Sequence, residues 1–121
     1  MNAGLWAGVL AIGGLGSVAR FMVDRAVARR AARSFPVGTL TVNITGAALL
    51  GFVTGLSLSH HAVLLAGTAL LGAYTTFSTW MFETQRLTEE RQLWPAAANL
   101  IGSVVLGIAA AAAGQAIAGL L

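Results

Sequence analysis

The chain has 121 residues, 57% of them apolar and 9% charged, with a net charge of +3 and a mean hydropathy of +0.81. Soluble domains carry about 25% charged residues, so most of this surface is made for lipid, and the length allows one domain, residues 1–121. There is no cysteine, and all seven basic residues are arginine, which excludes disulfides and thiolate chemistry and leaves too few cations for a nucleic-acid-binding face.

Four segments are apolar enough to span a bilayer, each near the ~20 residues that a membrane helix needs. The first runs from about Gly4 to Val23. Its apolar stretch, Gly4 to Ala19, has no basic residue before it and is too long for a signal-peptide core, so it is expected to stay in the mature protein. An arginine-rich linker, Asp24 to Ser34, leads to the second segment, Phe35 to Leu58, with Pro36 in the first turn, where a missing N–H costs nothing. Ser59, His60 and His61 form a tight, solvated turn before the third segment, Ala62 to Phe82. A charged loop, Glu83 to Trp94, then precedes the fourth, Pro95 to Leu121. Trp6, Trp80 and Trp94 lie near segment ends, as interfacial aromatics do.

Glycines recur where helices would meet. Gly13, Gly14 and Gly16 lie in the first segment, Gly46, Gly51 and Gly55 in the second, and Gly102 and Gly107 in the fourth. The spacing of Gly51 and Gly55 suits close helix approach. Four short helices enclose little, so a two-fold dimer is expected. Arg25, Arg29, Arg30 and Arg33 fall in the first linker, and Arg86 and Arg91 in the third connection; the other ends carry no arginine. The positive-inside rule puts both arginine-bearing connections in the cytoplasm and both termini outside.

Polar groups inside the membrane are costly unless paired or lining a cavity. The densest group is Tyr74 to Thr79 in the third segment, preceded by Gly72. Two readings stand: a broken helix whose freed carbonyls and hydroxyls handle an ion, or an intact helix whose hydroxyls bond back to their own carbonyls. Asn43, flanked by Thr41 and Thr45, suits a polar pore wall or an interhelical bond. Asn99 and Ser103, four residues apart on one face of the fourth segment, suit a polar track or plain packing. Arg20 either snorkels to the interface or draws anions into a vestibule.

Three motifs together resemble one family. Gly13-Gly14-Leu15-Gly16-Ser17-Val18-Ala19-Arg20, Pro36-Val37-Gly38-Thr39-Leu40-Thr41-Val42-Asn43-Ile44-Thr45-Gly46 and Gly72-Ala73-Tyr74-Thr75-Thr76-Phe77-Ser78-Thr79 are similar, in order and spacing, to motifs of the Fluc (CrcB) fluoride channels. The resemblance implies an all-α membrane protein of four transmembrane helices, the third broken mid-membrane. It further implies an antiparallel dimer with two narrow pores that lets cytoplasmic fluoride leave the cell and protects it from fluoride toxicity. By position, the carbonyls of Gly72 and Thr75 would hold a structural sodium ion. Asn43, Thr76, Phe77, Ser78, Asn99 and Ser103 would line the fluoride pore, and Arg20 would stand in its vestibule. Trp80 occupies the second position of the family's phenylalanine box and brings an indole N–H that can donate. A multi-pass inner-membrane protein, with fluoride, the lipid bilayer and a second four-helix subunit as its partners, is the expectation.

The physics agrees with this picture. Fluoride holds its water tightly, so a pore for it needs close-set donors and positive aromatic ring edges. No acid falls inside the four segments, which favours a channel over a proton-coupled antiporter and leaves a small cationic-drug exporter without the carboxylate it needs in its first helix. A glycine-packed assembly subunit would not need the polar break, and no nucleophile and base can be assembled for an enzyme. Loop charge departs from the family pattern: six arginines against none is far from the balance that insertion in both orientations requires. This chain is therefore expected to insert one way and to pair with an oppositely biased homologue rather than with itself. With single cysteines placed at Ala3 and Ala31, a membrane-impermeant reagent applied to intact cells should label the first and spare the second. Equal labelling of both would show dual insertion and rule the one-way expectation out.

Overall fold

The structure is a computed structural model that describes residues 2–31 and 34–121. Among these residues it is all helical, with four helical spans long and apolar enough to cross a membrane. Helix α1 is Ala3–Ala31 and α2 is Val37–Gly55. The third span, His60–Glu89, is broken into α3, residues 60–74, and α4, Ser78–Glu89; the fourth is α5, Leu93–Ala118.

The spans agree with the sequence reading, but the connections are shorter than it implies. Residues 24–31 continue α1 as helix, so Arg25, Arg29 and Arg30 ride on its last turns; Arg33 lies outside the described residues. At about 1.5 Å per residue, the 29 residues of α1 exceed the ~30 Å hydrocarbon core, which carries these arginines beyond it. Glu83 to Glu89 likewise belong to α4. His60 and His61 open α3 instead of forming a turn, and the Ser59 side chain caps that helix by accepting from the Ala62 N–H. Helical i,i+4 pairs account for part of this: Gln85 donates to Glu89, and Arg86 pairs with Glu90 at 3.3 Å. Arg86 also donates to the Ser34 carbonyl at 3.1 Å, so both arginine-bearing connections meet at one end of the molecule.

The burial pattern is that of a protein dissolved in lipid. Its buried apolar centre is small: Val42, Leu71 and Tyr74, flanked by Ala19, Val23 and Val53. Large side chains such as Leu10, Leu15, Phe21, Val105 and Ile108 face outward. Lipid tails are as apolar as leucine, so helices here associate through close packing instead of exclusion of water. The most extensive seam is α2 against α5. A Cβ on Gly114 would strike the Ala48 carbonyl, and one on Gly51 the Ala111 carbonyl.

Gly114→Val is therefore expected to lower the stability of the detergent-solubilised protein by about 1–3 kcal/mol, the range of overpacking in a filled core. A Cβ on Gly14 meets nothing within 4 Å, so Gly14→Ala should unfold at the parent's temperature. Thermal unfolding followed by circular dichroism reads both.

Candidate ion pathway

The break in the third span begins as an ordinary helix end. The Thr75 N–H closes a last turn onto Leu71, and its hydroxyl donates to the same carbonyl. Thr75 then turns extended, with φ −80° and ψ 162°. The next N–H, that of Thr76, would complete a turn onto Gly72 if the helix went on. It donates instead to Asn43 Oδ1 at 2.8 Å, and Asn43 Nδ2 donates back to the Thr76 carbonyl at 2.9 Å. One side-chain amide on α2 thus satisfies both backbone groups of a residue that has left the helix. Backbone may be irregular at membrane depth only where such partners exist. Thr79 N–H donates to Thr76 Oγ1 at 3.3 Å and helps α4 restart.

Neighbouring residues complete the corner. Thr45 Oγ1 and the Tyr74 hydroxyl lie 2.9 Å apart and share a hydrogen bond between α2 and α3. A Cβ on Gly46 would collide with Thr75 Cγ2, so the break can nest against α2 only because that position is glycine. Arg20 Nη1 reaches across from α1 and donates to the Thr75 carbonyl at 3.3 Å. The guanidinium points at the break, which is the inward choice of the two the sequence leaves open.

Two cavities meet at this corner. A polar chamber of about 210 Å³ is lined by Ser17, Arg20, Asp24, Thr39, Thr76 and Thr79. On the other side an open-sided groove of about 720 Å³, mostly apolar, takes in Asn43, Thr75, Thr76, Phe77, Trp80 and Ser103. Thr76 borders both. Phe77 is 70% exposed, and its ring meets Trp80 edge-on, at 5.7 Å between centroids and 83° between planes. Gly72 also lines the groove.

Of the residues singled out in the sequence, Asn43, Thr76, Phe77, Trp80 and Ser103 converge on the groove, and Arg20 on the chamber. Ser78 is exposed and borders neither cavity. Asn99 is completely buried and is held on the α4 side instead of facing the groove: its amide donates to Thr84 Oγ1 at 2.9 Å. Its carbonyl accepts from the Trp80 indole N–H at 2.8 Å, so the donor that the sequence leaves free is already engaged. The four segments read from the sequence stop one residue short of two acids that the helices take in. Asp24 lies on α1 and lines the chamber, and Glu83 lies on α4 with Oε1 buried and unbonded. Asp24, Thr39 and Thr84 escape a sequence reading because each takes its place through a neighbour on another helix. Thr84 alone leaves a trace, one turn from Trp80 on the same face.

Comparison with known proteins agrees with this architecture. Residues 7–115 match the family model described as CrcB-like protein, Camphor Resistance (CrcB). The chain belongs to the CrcB-like family. A Mycobacterium bovis protein named fluoride-specific ion channel FluC 2 is 67% identical over 118 residues, covering 98% of this chain and 94% of the relative. A Mycolicibacterium paratuberculosis protein of the same name is 68% identical over 117 residues, covering 97% and 96%. A Streptomyces avermitilis protein named fluoride-specific ion channel FluC 1 is 45% identical over 113 residues, covering 90% and 91%. With its four spans, this member of the family is a multi-pass membrane protein.

Asn43→Leu is expected to destabilise the fold by about 1–3 kcal/mol, because it strands a part-buried N–H and a part-buried C=O at Thr76. Asn43→Asp keeps an acceptor for the Thr76 N–H but, as a carboxylate, sets an oxygen against the Thr76 carbonyl and a charge at membrane depth, so it should lose stability as well. Urea unfolding in mild detergent orders the three proteins; equal stability of the leucine variant and the parent would show that the amide does not hold the break.

Proposed function

We propose that this protein is a subunit of a passive fluoride channel through which cytoplasmic fluoride leaves the cell down its electrochemical gradient. The observation that carries the reading is the placement of the helix break, with the polar chamber that Arg20 enters on one side and the aromatic groove on the other. The names of the curated relatives point the same way.

The chemistry follows the geometry. An anion enters the chamber under the positive potential of Arg20 and gives up water to the hydroxyls of Ser17, Thr39 and Thr79. At Thr76 it passes the polar corner that Asn43 fixes. In the groove it meets the rings of Phe77 and Trp80, whose edges carry partial positive charge, and Ser103, whose buried hydroxyl has no partner among the described residues. Oxygen-rich walls and neutral rings hold fluoride weakly enough for release. Asp24 lines the chamber and Glu83 lies one turn beyond Trp80 on α4, both toward the arginine-bearing end of the spans; the path past Phe77 and Trp80 needs no proton carrier.

A second subunit belongs to the reading. The groove is open on one side, yet it presents polar backbone at membrane depth, which lipid cannot satisfy. A second four-helix subunit, inserted in the opposite sense, would cover it. The arginine bias favours a homologue of reversed bias over a second copy of this chain. The same corner offers carbonyls for a sodium ion. Gly72 loses its helical donor to the Asn43 exchange, and Thr75 has only the long Arg20 contact beyond the helix. Neutral backbone oxygens suit a hard monovalent cation. Bound there, sodium would supply positive charge that ties the two breaks together; the residues that would hold it are Gly72 and Thr75.

Liposomes containing the purified protein, reconstituted with its natural partner where there is one, should release fluoride and retain chloride. Phe77→Ala and Trp80→Ala are each expected to slow fluoride release by about tenfold or more, the loss of one favourable step of about 1.4 kcal/mol. No fluoride release from the parent protein would overturn the reading. Release unchanged by Trp80→Ala but abolished by Phe77→Ala would remove Trp80 from the path.

A further inference from the structure

The fourth span carries a feature that the pathway does not explain. Within α5, Ala98–Gly102 widens into a π-helical turn, a rare geometry that loosens the backbone and recurs at functional positions. At its second residue sits Asn99, fully buried. Burying an amide is costly unless it is bonded, and Asn99 Oδ1 has no partner among the described residues. Its side-chain nitrogen and its backbone carbonyl, which also accepts the helical Ser103 N–H, both reach one turn of α4. Its carbonyl takes the Trp80 indole N–H at 2.8 Å; its amide donates to Thr84 Oγ1 at 2.9 Å and approaches the Trp80 carbonyl at 3.4 Å. Thr84 closes the loop by donating to the Trp80 carbonyl at 2.9 Å.

We propose that Asn99 is a positioning residue that fixes which edge of Trp80 meets the permeating anion. An indole in this groove can present either its N–H or its ring C–H edge. The N–H is a strong donor, and an anion that accepted it in a low-dielectric groove would be retained, as would larger anions that a phenyl edge passes over. With the N–H held by the Asn99 carbonyl, Trp80 offers a C–H edge and meets Phe77 at 83°, so the pair acts as two aromatic edges in series. The lock uses both ends of Asn99. The side chain ties α5 to the α4 turn bearing Trp80, and the carbonyl at the π turn then lies within reach of the ring nitrogen. This inference rests on the fluoride-channel reading for its effect on flux, but the lock itself has a readout of its own.

A helix-packing role would predict equal damage whatever residue stands at 80, so the test is a double-mutant cycle in liposomes. Asn99→Leu in the parent is expected to lower the fluoride-to-chloride flux ratio by about fivefold, the scale of one hydrogen bond. In a Trp80→Phe background, where there is no N–H to hold, the same substitution should change the ratio by less than about twofold. Thr84→Val, which removes the hydroxyl and keeps the shape, should move the ratio the same way in the parent and supplies the cycle if the leucine variant does not fold. Independently of flux, the Trp80 indole ¹⁵N–¹H resonance, observed in a Trp6→Phe/Trp94→Phe protein, should resist solvent exchange and lose that protection in Thr84→Val. Equal loss of selectivity in both backgrounds, or an indole proton that exchanges freely in the parent, would refute the proposal. A parent that passes no fluoride while keeping a protected indole proton would instead refute the channel reading and leave the lock standing.

Discussion

The hydrogen-bond exchange between the Asn43 side chain and the Thr76 backbone is the contact on which the rest of the molecule depends. A membrane helix normally satisfies its own backbone, and a break exposes groups that lipid cannot pair. Asn43 supplies one acceptor and one donor, which are the two partners a residue loses when it leaves a helix. With Thr76 satisfied from α2, the chain can stop at Tyr74, run extended through Thr75 and restart at Ser78. The same contact frees the Gly72 carbonyl and sets Thr76 between the two cavities. Structure and function therefore share one amide.

The surroundings follow from that choice. Gly46 leaves room for Thr75, the Thr45–Tyr74 bond fixes the approach, and Arg20 supplies a cation to the exposed Thr75 carbonyl. A guanidinium bound there sees a neutral oxygen, and it shares the chamber with the Asp24 carboxylate one turn along α1. The asymmetry between the two cavities is then electrostatic on one side and aromatic on the other. An ion with a tightly held shell needs both: a polar place to lose water and a weakly attractive path beyond it. The small buried core fits this economy. Helices held by glycine seams leave side chains free to line passages instead of filling a centre.

Trp80 shows how a residue's chemistry is decided by a neighbour. Free, the indole is an anion donor; bonded to the Asn99 carbonyl, it is a ring edge. The π-helical turn in α5, the buried amide and Thr84 all serve that single orientation, and all lie outside the groove that they shape.

The sequence by itself determined the number and length of the spans, the class of solvent around them, the arginine-bearing end and the position of the break, because hydropathy, charge and a polar cluster are local properties of the chain. It also marked Asn43, Phe77 and Arg20 through their place in three motifs. It misjudged the helix ends at Ala31 and Glu89, since charged residues continue a helix as readily as they form a loop once the span leaves the hydrocarbon. Only the tertiary structure decided what each polar group bonds to. Asn43 and Thr76 lie 33 residues apart, Trp80 and Asn99 19 apart, and no periodicity connects them. A hydrogen bond depends on position within tenths of an ångström, and that is set by how the helices cross. For that reason Asn99, legible as a pore residue, became the anchor of Trp80, and Thr84, marked in the sequence only by its one-turn spacing from Trp80, became part of the lock.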